Sequence, residues 1–380
     1  MTTRLGVSPD DQALADAIAR FAEQELAPHA HAVDEEEIST ARYVPQLAEM
    51  GVMGLNLPER WGGPGASPTG LILALAEIAR ACASTASMIG AHYLATDSVL
   101  IGGDDAQRER YLPDAAAGRK LGAFALTEPR AGSNPADMGA RAEPIGERYR
   151  LTGVKHFISN AGDADFIVVY AKTDPSAGHR GISAFIVDAD TPGVTISPPE
   201  KLMGIRGGHA FEVAFDCEID ARQRLGAQGS GFRTAMKVLD NSRIDVAANS
   251  IGIAEAAMAA ALSWAGERQV GGASLADKQG IQWLLADMKV RLEAAWLLTL
   301  QAAAVRAAGG RLTQSASIAK LYASEAAGFI TDAALQIHGG YGFTREMPLE
   351  RWVRDARIMR IYEGSSEIQR TVIARTMLAP

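Results

Sequence analysis

The sequence predicts an α+β chain built in three successive parts: a helical N-terminal domain, a middle antiparallel β-barrel domain and a C-terminal four-helix bundle. Three observations predict it. Apolar residues recur at helical spacing over the first stretch. Short β-branched and aromatic runs flanked by turn residues follow, without long helices between them. From Phe232 onward the chain is alanine-rich and carries long three–four apolar stripes. These changes of texture place the parts at residues 1–120, 121–228 and 229–380.

Each element has its own reason. In residues 10–26, Leu14, Ile18, Phe21 and Ala22 fall on one helical face, and Pro28 is expected to end that helix. Trp61-Gly62-Gly63-Pro64-Gly65 reads as a turn, and a second helix runs from Pro68 through Leu71, Leu75 and Ile78. Residues 84–101 are small and apolar, as in a buried helix. Phe166-Ile167-Val168-Val169-Tyr170 and Ile182-Ser183-Ala184-Phe185-Ile186-Val187 read as strands. Phe211-Glu212-Val213-Ala214-Phe215 alternates with period two, so one face is buried. The glycines of residues 226–231 form a hinge. Beyond it, Ile244, Ala248, Ile251, Met258, Leu262 and Ala265 make one stripe, and Ile281, Leu284, Leu285, Met288, Leu292, Ala295 and Trp296 another. Stripes this rich in alanine allow helices to approach closely, within the chain or between copies of it.

Composition narrows the function. Of 380 residues, 47% are hydrophobic and 22% charged, with a formal charge of −8, and no dense basic stripe appears. That excludes a nucleic-acid partner. Cys82 and Cys217 fit neither a metal spacing nor a disulfide framework, which points to a reducing compartment. The first ten residues lack a basic segment followed by an apolar core, and apolar runs such as 71–76 are far shorter than a membrane span. A cytoplasmic protein without membrane insertion is expected. No Gly-x-Gly-x-x-Gly, Gly-x-x-x-x-Gly-Lys-Ser/Thr or Gly-x-Ser-x-Gly motif occurs, which argues against a Rossmann, P-loop or serine-hydrolase site. Neither the pair His29 and His31 nor His338 belongs to a metal-ligand cluster, so no metal is expected.

Five segments carry the chemistry. Arg360-Ile361-Tyr362-Glu363-Gly364-Ser365-Ser366-Glu367-Ile368-Gln369-Arg370 sets a carboxylate beside glycine and two hydroxyls where a helix starts. By itself it reads equally as a helix cap or as a carboxylate facing a cavity. Phe124-Ala125-Leu126-Thr127-Glu128-Pro129-Arg130-Ala131-Gly132-Ser133-Asn134 runs from a strand into a loop rich in backbone N–H and hydroxyl groups. It suits a flat polar ring or a thioester arm, or serves as an ordinary turn. Lys155-His156-Phe157-Ile158-Ser159 places an aromatic and a hydroxyl on one face of a strand, or simply a core Phe with a chance Ser. Glu267-Arg268-Gln269 ends a helix where an Arg could meet a phosphate. Gln336-Ile337-His338-Gly339-Gly340-Tyr341-Gly342-Phe343 interrupts a helix with glycines that leave backbone free, or caps it.

Together and in this order, these segments resemble the acyl-CoA dehydrogenase family over essentially the whole chain. The most specific parts are Thr127-Glu128-Pro129 with Ala131-Gly132-Ser133, residues 336–342, and Arg354-Asp355-Ala356 through Arg370. The resemblance implies the three-part fold, a homotetramer and one non-covalent FAD per subunit. It implies flavin contacts from Phe124, Leu126, Thr127, Gly132, Ser133, Phe157, Ile158 and Ser159, with Ser159 standing where Thr is usual. Arg268, Gln279, Gln336, Gly339 and Gly340 would reach the dinucleotide of a neighbouring subunit, and Ser365 and Glu367 would touch it again. Acyl-CoA contacts would come from Ser133, Asp240, Arg243, Arg311, Gly364 and Arg375, and the catalytic base is Glu363. The implied reaction is α,β-dehydrogenation of an acyl-CoA, with electrons passed to an electron-transferring flavoprotein. An acyl-CoA oxidase, a lyase-like relative and a non-enzymatic assembly protein are the alternatives on the same scaffold.

Some positions depart from the family pattern. Gly271-Gly272 stands where Phe-Gly is usual, Arg130 replaces Gly, Asn134 replaces Asp, and Ser242 occupies the family's second location for the base. At the expected floor of the acyl pocket, Ala86 and Gly90 are small and Tyr93 is bulky, which favours a short or branched acyl chain.

Overall fold

The computed structural model describes residues 6–378. The first part comprises helices α1 (Pro9–Phe21), α2 (Ala30–Glu35), α3 (Val44–Glu49), α4 (Pro68–Ala81), α5 (Ala83–Gly102) and α6 (Asp105–Ala116). Ser8 caps α1 and Ser67 caps α4, each accepting a hydrogen bond from a backbone N–H of the first turn. Pro28 does not end the first helical run. The chain continues through a π-type turn at Ala22–Leu26 and a 3₁₀ turn at Ala27–His29 into α2. Pro28 sits in the first turn of the 3₁₀ segment, where its missing N–H is not needed. Helix α5 is buried along nearly its whole length, as its small apolar composition implies.

The middle part is an open mixed sheet rather than an antiparallel barrel. Its strands are β1 (Gly122–Ala125), β2 (Arg141–Ile145), β3 (Arg148–Ser159), β4 (Phe166–Lys172), β5 (Ile182–Asp188), β6 (Val194–Ile196), β7 (Ala210–Asp220) and β8 (Arg224–Leu225). The order is β6-β7-β3-β2-β4-β5-β8, and β1 pairs with β4. The β1–β4 pairing is parallel, and β2 also meets β4 in parallel through Arg141 and Lys172. No pairing joins β6 to β8 among the described residues. Period-two alternation reveals which side of a strand is buried, but not the direction of its neighbour, so the parallel crossovers were not legible. The central strands are buried on both faces. Phe166, Val168 and Tyr170 of β4 pack with Val99, Tyr111 and Leu112 of α5 and α6, while Ile167 and Val169 pack with Tyr149, Val213 and Phe215 on the other side.

The last part holds α7 (Gly231–Glu267), a two-residue hairpin of β9 (Gln269–Val270) and β10 (Ala273–Ser274), then α8 (Gln279–Ala307), α9 (Thr313–His338), α10 (Leu349–Ile358) and α11 (Ser366–Leu378). The expected four-helix bundle takes the form of three long helices, with α10 and α11 laid against α9. Its core is continuous with α4 and α5. The Gly271-Gly272 departure forms the hairpin loop, with φ of 62° and 79°. Left-handed values at both positions are what a tight two-residue hairpin demands, and glycine supplies them without strain. Helix α7 alone among the described helices is long and apolar enough to cross a membrane, but most of that stretch is buried within the protein. It is the central core helix.

Candidate active site

Glu363 lies in the loop between α10 and α11 with φ of 54°, followed by Gly364 with φ of 95°. Two successive left-handed residues turn the chain sharply, and for Glu this conformation is strained. Two buried side chains hold the turn. Gln369 Nε2 donates to the carbonyls of Glu363 (3.1 Å) and Gly364 (2.9 Å), and Lys320 Nζ donates to the Gly364 carbonyl at 2.8 Å. The carboxylate thereby faces inward. Ser242 Oγ donates to Glu363 Oε2, leaving Oε1 without a protein partner among the described residues. The Glu363 N–H likewise meets no acceptor among the described residues.

The electrostatics suit a base. Burial raises the Glu363 carboxyl above its ordinary range, while the Ser242 hydrogen bond and the charges of Lys320 and Arg243 pull against that shift. Burial in turn pushes Lys320 down to about 8. The Arg243 charge is largely committed to Asp240, which also accepts from Thr313 Oγ1 at 2.6 Å.

Glu363 borders a cavity of about 240 Å³ between the sheet and the helices. The end of β1 and the following loop contribute Phe124, Leu126, Thr127, Gly132 and Ser133; β3 contributes Phe157, Ile158 and Ser159. Ser87, Ala91 and Leu94 of α5 and Met236, Leu239 and Arg243 of α7 form the opposite wall, with Tyr362 and Gly364 beside the base. Strand alternation is not what places Phe157 there. A register shift between Lys155 and Ile158 makes a bulge, and Phe157 has φ of 58° and is 59% exposed. Bulges re-aim side chains, and this one turns an aromatic face out of the sheet.

The loop from β1 is braced from beneath. Lys155 Nζ, fully buried, donates to Glu128 Oε1 at 2.9 Å and to the Leu126 carbonyl at 3.0 Å. Ala140 N–H donates to the same Glu128 oxygen at 3.0 Å, and Gly139 N–H to the other. Burial works against the Glu128 charge, yet Lys155 and these N–H groups hold its carboxyl below the usual range. Burial lowers Lys155 to about 8.

The sequence-predicted residues divide into groups. Phe124, Leu126, Thr127, Gly132, Ser133, Phe157, Ile158, Ser159, Arg243, Glu363 and Gly364 meet at the cavity, with Asp240 bonded to Arg243. Arg268, Gly339 and Gly340 line a second depression of about 430 Å³, with Trp264, His338 and Tyr341. There the Arg268 guanidinium lies 5.9 Å from the Trp264 ring and 5.7 Å from that of Tyr341. Gln279, Gln336, Arg311, Glu367 and Arg375 are exposed and line neither hollow. Ser365 caps α11.

Sequence reasoning missed Tyr362, Lys320 and Gln369, and it missed that Ser242 bonds the base. A lone lysine inside the small-residue run Ala316-Ser317-Ile318-Ala319-Lys320-Leu321 was the available signal for one of them. Asp34, Glu35 and Glu350 cluster closely, but Arg354 pairs with Asp34 at 2.5 Å and with Glu350 at 2.6 Å, and Arg345 pairs with Glu35. That cluster is an ion-pair network tying α10 to α2.

Three family models match the chain in sequence order: the acyl-CoA dehydrogenase N-terminal domain over residues 8–119, the middle domain over 123–217 and the C-terminal domain over 229–378. The chain is 42% identical over 372 residues to the acryloyl-CoA reductase (NADH) of Anaerotignum propionicum, covering 97% of this chain and 94% of that protein. Two solved structures superpose closely. One is a chain from work on the electron transferring flavoprotein of Acidaminococcus fermentans and flavin-based electron bifurcation, with TM-score 0.97, 38% identity and full coverage of both chains. The other is butyryl-CoA dehydrogenase from Megasphaera elsdenii, with TM-score 0.96 and 38% identity over 99% of this chain and 100% of that one. By its three domains, its fold and the carboxylate at Glu363, the chain belongs to the acyl-CoA dehydrogenase family.

Proposed function

We propose that the protein catalyses FAD-dependent α,β-dehydrogenation of a short acyl-CoA thioester to the trans-2-enoyl-CoA, with Glu363 as the base. The observation that carries this is the Glu363 carboxylate. It is turned into the cavity by a strained left-handed pair, one oxygen is held by Ser242, and the other is free to take a proton. The cavity fits a flavin. A Cβ on Gly132 would meet open space, the exposed Phe157 ring offers a flat face, and the hydroxyls of Thr127, Ser133 and Ser159 line the same hollow. When bound, FAD supplies the acceptor for the hydride leaving the β-carbon.

The protein's own groups account for the other half of the reaction. Glu363 Oε1 takes the α-proton. The unpartnered Glu363 N–H is available to the thioester carbonyl, where negative charge builds as that proton leaves. Filling the cavity with an acyl group displaces water, which raises the carboxylate's basicity further. Arg268 with Gly339 and Gly340 would serve the dinucleotide of a neighbouring copy, in a homotetramer that passes electrons to an electron-transferring flavoprotein. The likeness to the chain from the Acidaminococcus flavoprotein work supports that acceptor. A second reading, the same chemistry run from enoyl-CoA to acyl-CoA, is favoured by the likeness to the acryloyl-CoA reductase.

Glu363→Gln tests the assignment. The variant keeps its shape and should bind FAD and acyl-CoA, while anaerobic bleaching of the flavin by butyryl-CoA slows by about 10²–10⁴-fold. Bleaching at the wild-type rate would remove Glu363 from the mechanism. Consumption of acryloyl-CoA with reduced acceptor, but no bleaching by saturated thioesters, would favour the second reading.

A further inference from the structure

Beside the base, α7 carries buried polar side chains that the dehydrogenation itself does not use. Helix α7 presents Ser242, Asp245 and Asn249 at three–four spacing, hence on one face, and all three are buried. Ser242 holds the base. Asp245 Oδ1 and Asn249 Oδ1 have no hydrogen-bond partner among the described residues. Buried acceptors left unmade are costly, and native proteins rarely keep them without a ligand or water to fill the role.

The facing helix leaves room for one. Asn241 Nδ2 donates to Asp97 Oδ2 at 2.9 Å, while Asn249 and Ser87 both approach the Tyr362 hydroxyl. Residues 241 and 97 therefore meet at one end, and 249 and 87 at the other, so α5 and α7 run antiparallel. Gly90, one turn along from Ser87, then faces the turn of α7 that carries Asp245 and Asn249. Gly90 is buried, yet a Cβ built on it meets nothing within 4 Å. An empty space beside a buried glycine and two orphaned acceptors occupy the same stretch of the α5–α7 interface.

Asp97, by contrast, is satisfied, because Asn56 Nδ2 donates to its other oxygen at 2.8 Å. Burial raises the Asp245 carboxyl well above its ordinary range, and Asp97 and Glu363 add to the rise against one partly buried cation in range, Arg306.

We infer that this recess receives the far end of the acyl chain, and that the preferred substrate carries a hydrogen-bond donor there, a hydroxyl or an ammonium group. The inference rests on the acyl-CoA dehydrogenase reading above and narrows its substrate class. A plain alkyl end would bury both orphaned oxygens unpaired, whereas a hydroxyl or ammonium end donates to the Asn249 oxygen and pairs with the Asp245 carboxyl. An ammonium end would itself favour the ionised form of Asp245 that burial disfavours, whereas an anionic end would oppose it, so the recess accepts a cation more readily than an anion. An acyl group ending in a carboxylate is disfavoured on the same grounds.

The experiment separates the two levels. Glu363→Gln protein with FAD bound is titrated calorimetrically with propanoyl-, butanoyl- and pentanoyl-CoA, each unsubstituted and with a terminal hydroxyl or a terminal amine. The wild type is mixed with the same panel anaerobically while flavin bleaching is followed. The expected result is that one donor-bearing thioester binds tighter than its unsubstituted parent by about tenfold or more. Asp245→Val should abolish that preference while retaining butanoyl-CoA. Gly90→Leu, whose added side chain enters open space, should block the donor-bearing ester selectively if the Asp245 variant fails to fold. A hydroxyl preference without an amine preference identifies a neutral donor, and the reverse identifies a cation. Equal binding of substituted and plain thioesters, unchanged by either variant, overturns the inference and leaves water as the occupant. The dehydrogenase reading then still stands on bleaching by butanoyl-CoA. Failure of every thioester to bind or bleach overturns both.

Discussion

At the scale of single residues, the site turns on how one carboxylate is kept basic. Burial raises Glu363, and Ser242 and two nearby cations oppose the rise. As a base it works only when ionised, so activity should fall as pH drops through a value above the ordinary carboxylate range. Ser242→Ala deletes a hydrogen bond that favours the charged form, so the acidic limb of the kcat/KM profile should move to higher pH by about one unit. Ser242→Thr should leave it in place. A limb that does not move with Ser242→Ala would mean that the hydroxyl does not control the base. The same raised value has a cost in stability. A carboxyl whose folded pKa lies above its unfolded one stabilises the fold below the unfolded value and loses that contribution as pH rises through the folded one. Glu363→Gln, uncharged throughout, should therefore melt at a higher temperature than wild type near neutral pH. An equal or lower melting temperature would contradict the burial cost assigned to Glu363.

At the scale of elements, the sheet-side wall of the cavity depends on the Glu128–Lys155 brace between the β1 loop and β3. Lys155→Met removes one partner and leaves Glu128 buried beside two backbone donors. The variant should lose about 3–5 kcal/mol of stability, measured by urea unfolding, and should also weaken FAD retention. Replacing both residues by Lys155→Met with Glu128→Leu should recover much of the loss, since no unpaired charge remains. Equal stability of the single and double variants would show that the brace is not an ion pair at all. This brace was only half legible in the sequence. Thr127-Glu128-Pro129 and Lys155 stand in segments that the sequence marks, but neither residue type nor spacing says that they touch. The helices were the readable elements, because three–four periodicity reports both structure and burial. Alternation along β3 placed Phe157 on a strand face, whereas a bulge with a left-handed φ is what turns it toward the cavity. The closed barrel failed similarly, since β1 reaches β4 only through a parallel crossover that local pattern cannot encode. Pro28 shows the converse, a strong local breaker absorbed by changing helix type rather than ending the run.

At the scale of the whole molecule, the proposed cofactor role would have to draw on two separate hollows. The first cavity gathers the base and the hydroxyl-lined loop, while Arg268, Gly339 and Gly340 line a separate depression at the end of α7 and α9. The proposed site shared between copies would reconcile them, and α8 offers a surface for it. Trp283, Val290 and Leu297 are 64%, 67% and 56% exposed. Spaced by seven, they drift by only about 20° per step around a straight helix, so they form one stripe roughly 21 Å long on the face away from buried Met288, Leu292 and Trp296. A large aromatic and two aliphatics in line are unfavourable in water and favourable against a second helix. Trp283→Glu with Leu297→Glu should therefore lower the mass seen by sedimentation from that of an oligomer to that of smaller species. Arg268→Ala, outside the stripe, should leave the mass unchanged and weaken flavin retention alone. If the site is completed between copies, the α8 variant loses flavin in step with its loss of mass. A wild type already monomeric, or an α8 variant that dissociates with its flavin fully retained, would place the whole site within one chain and leave the second depression without a cofactor role.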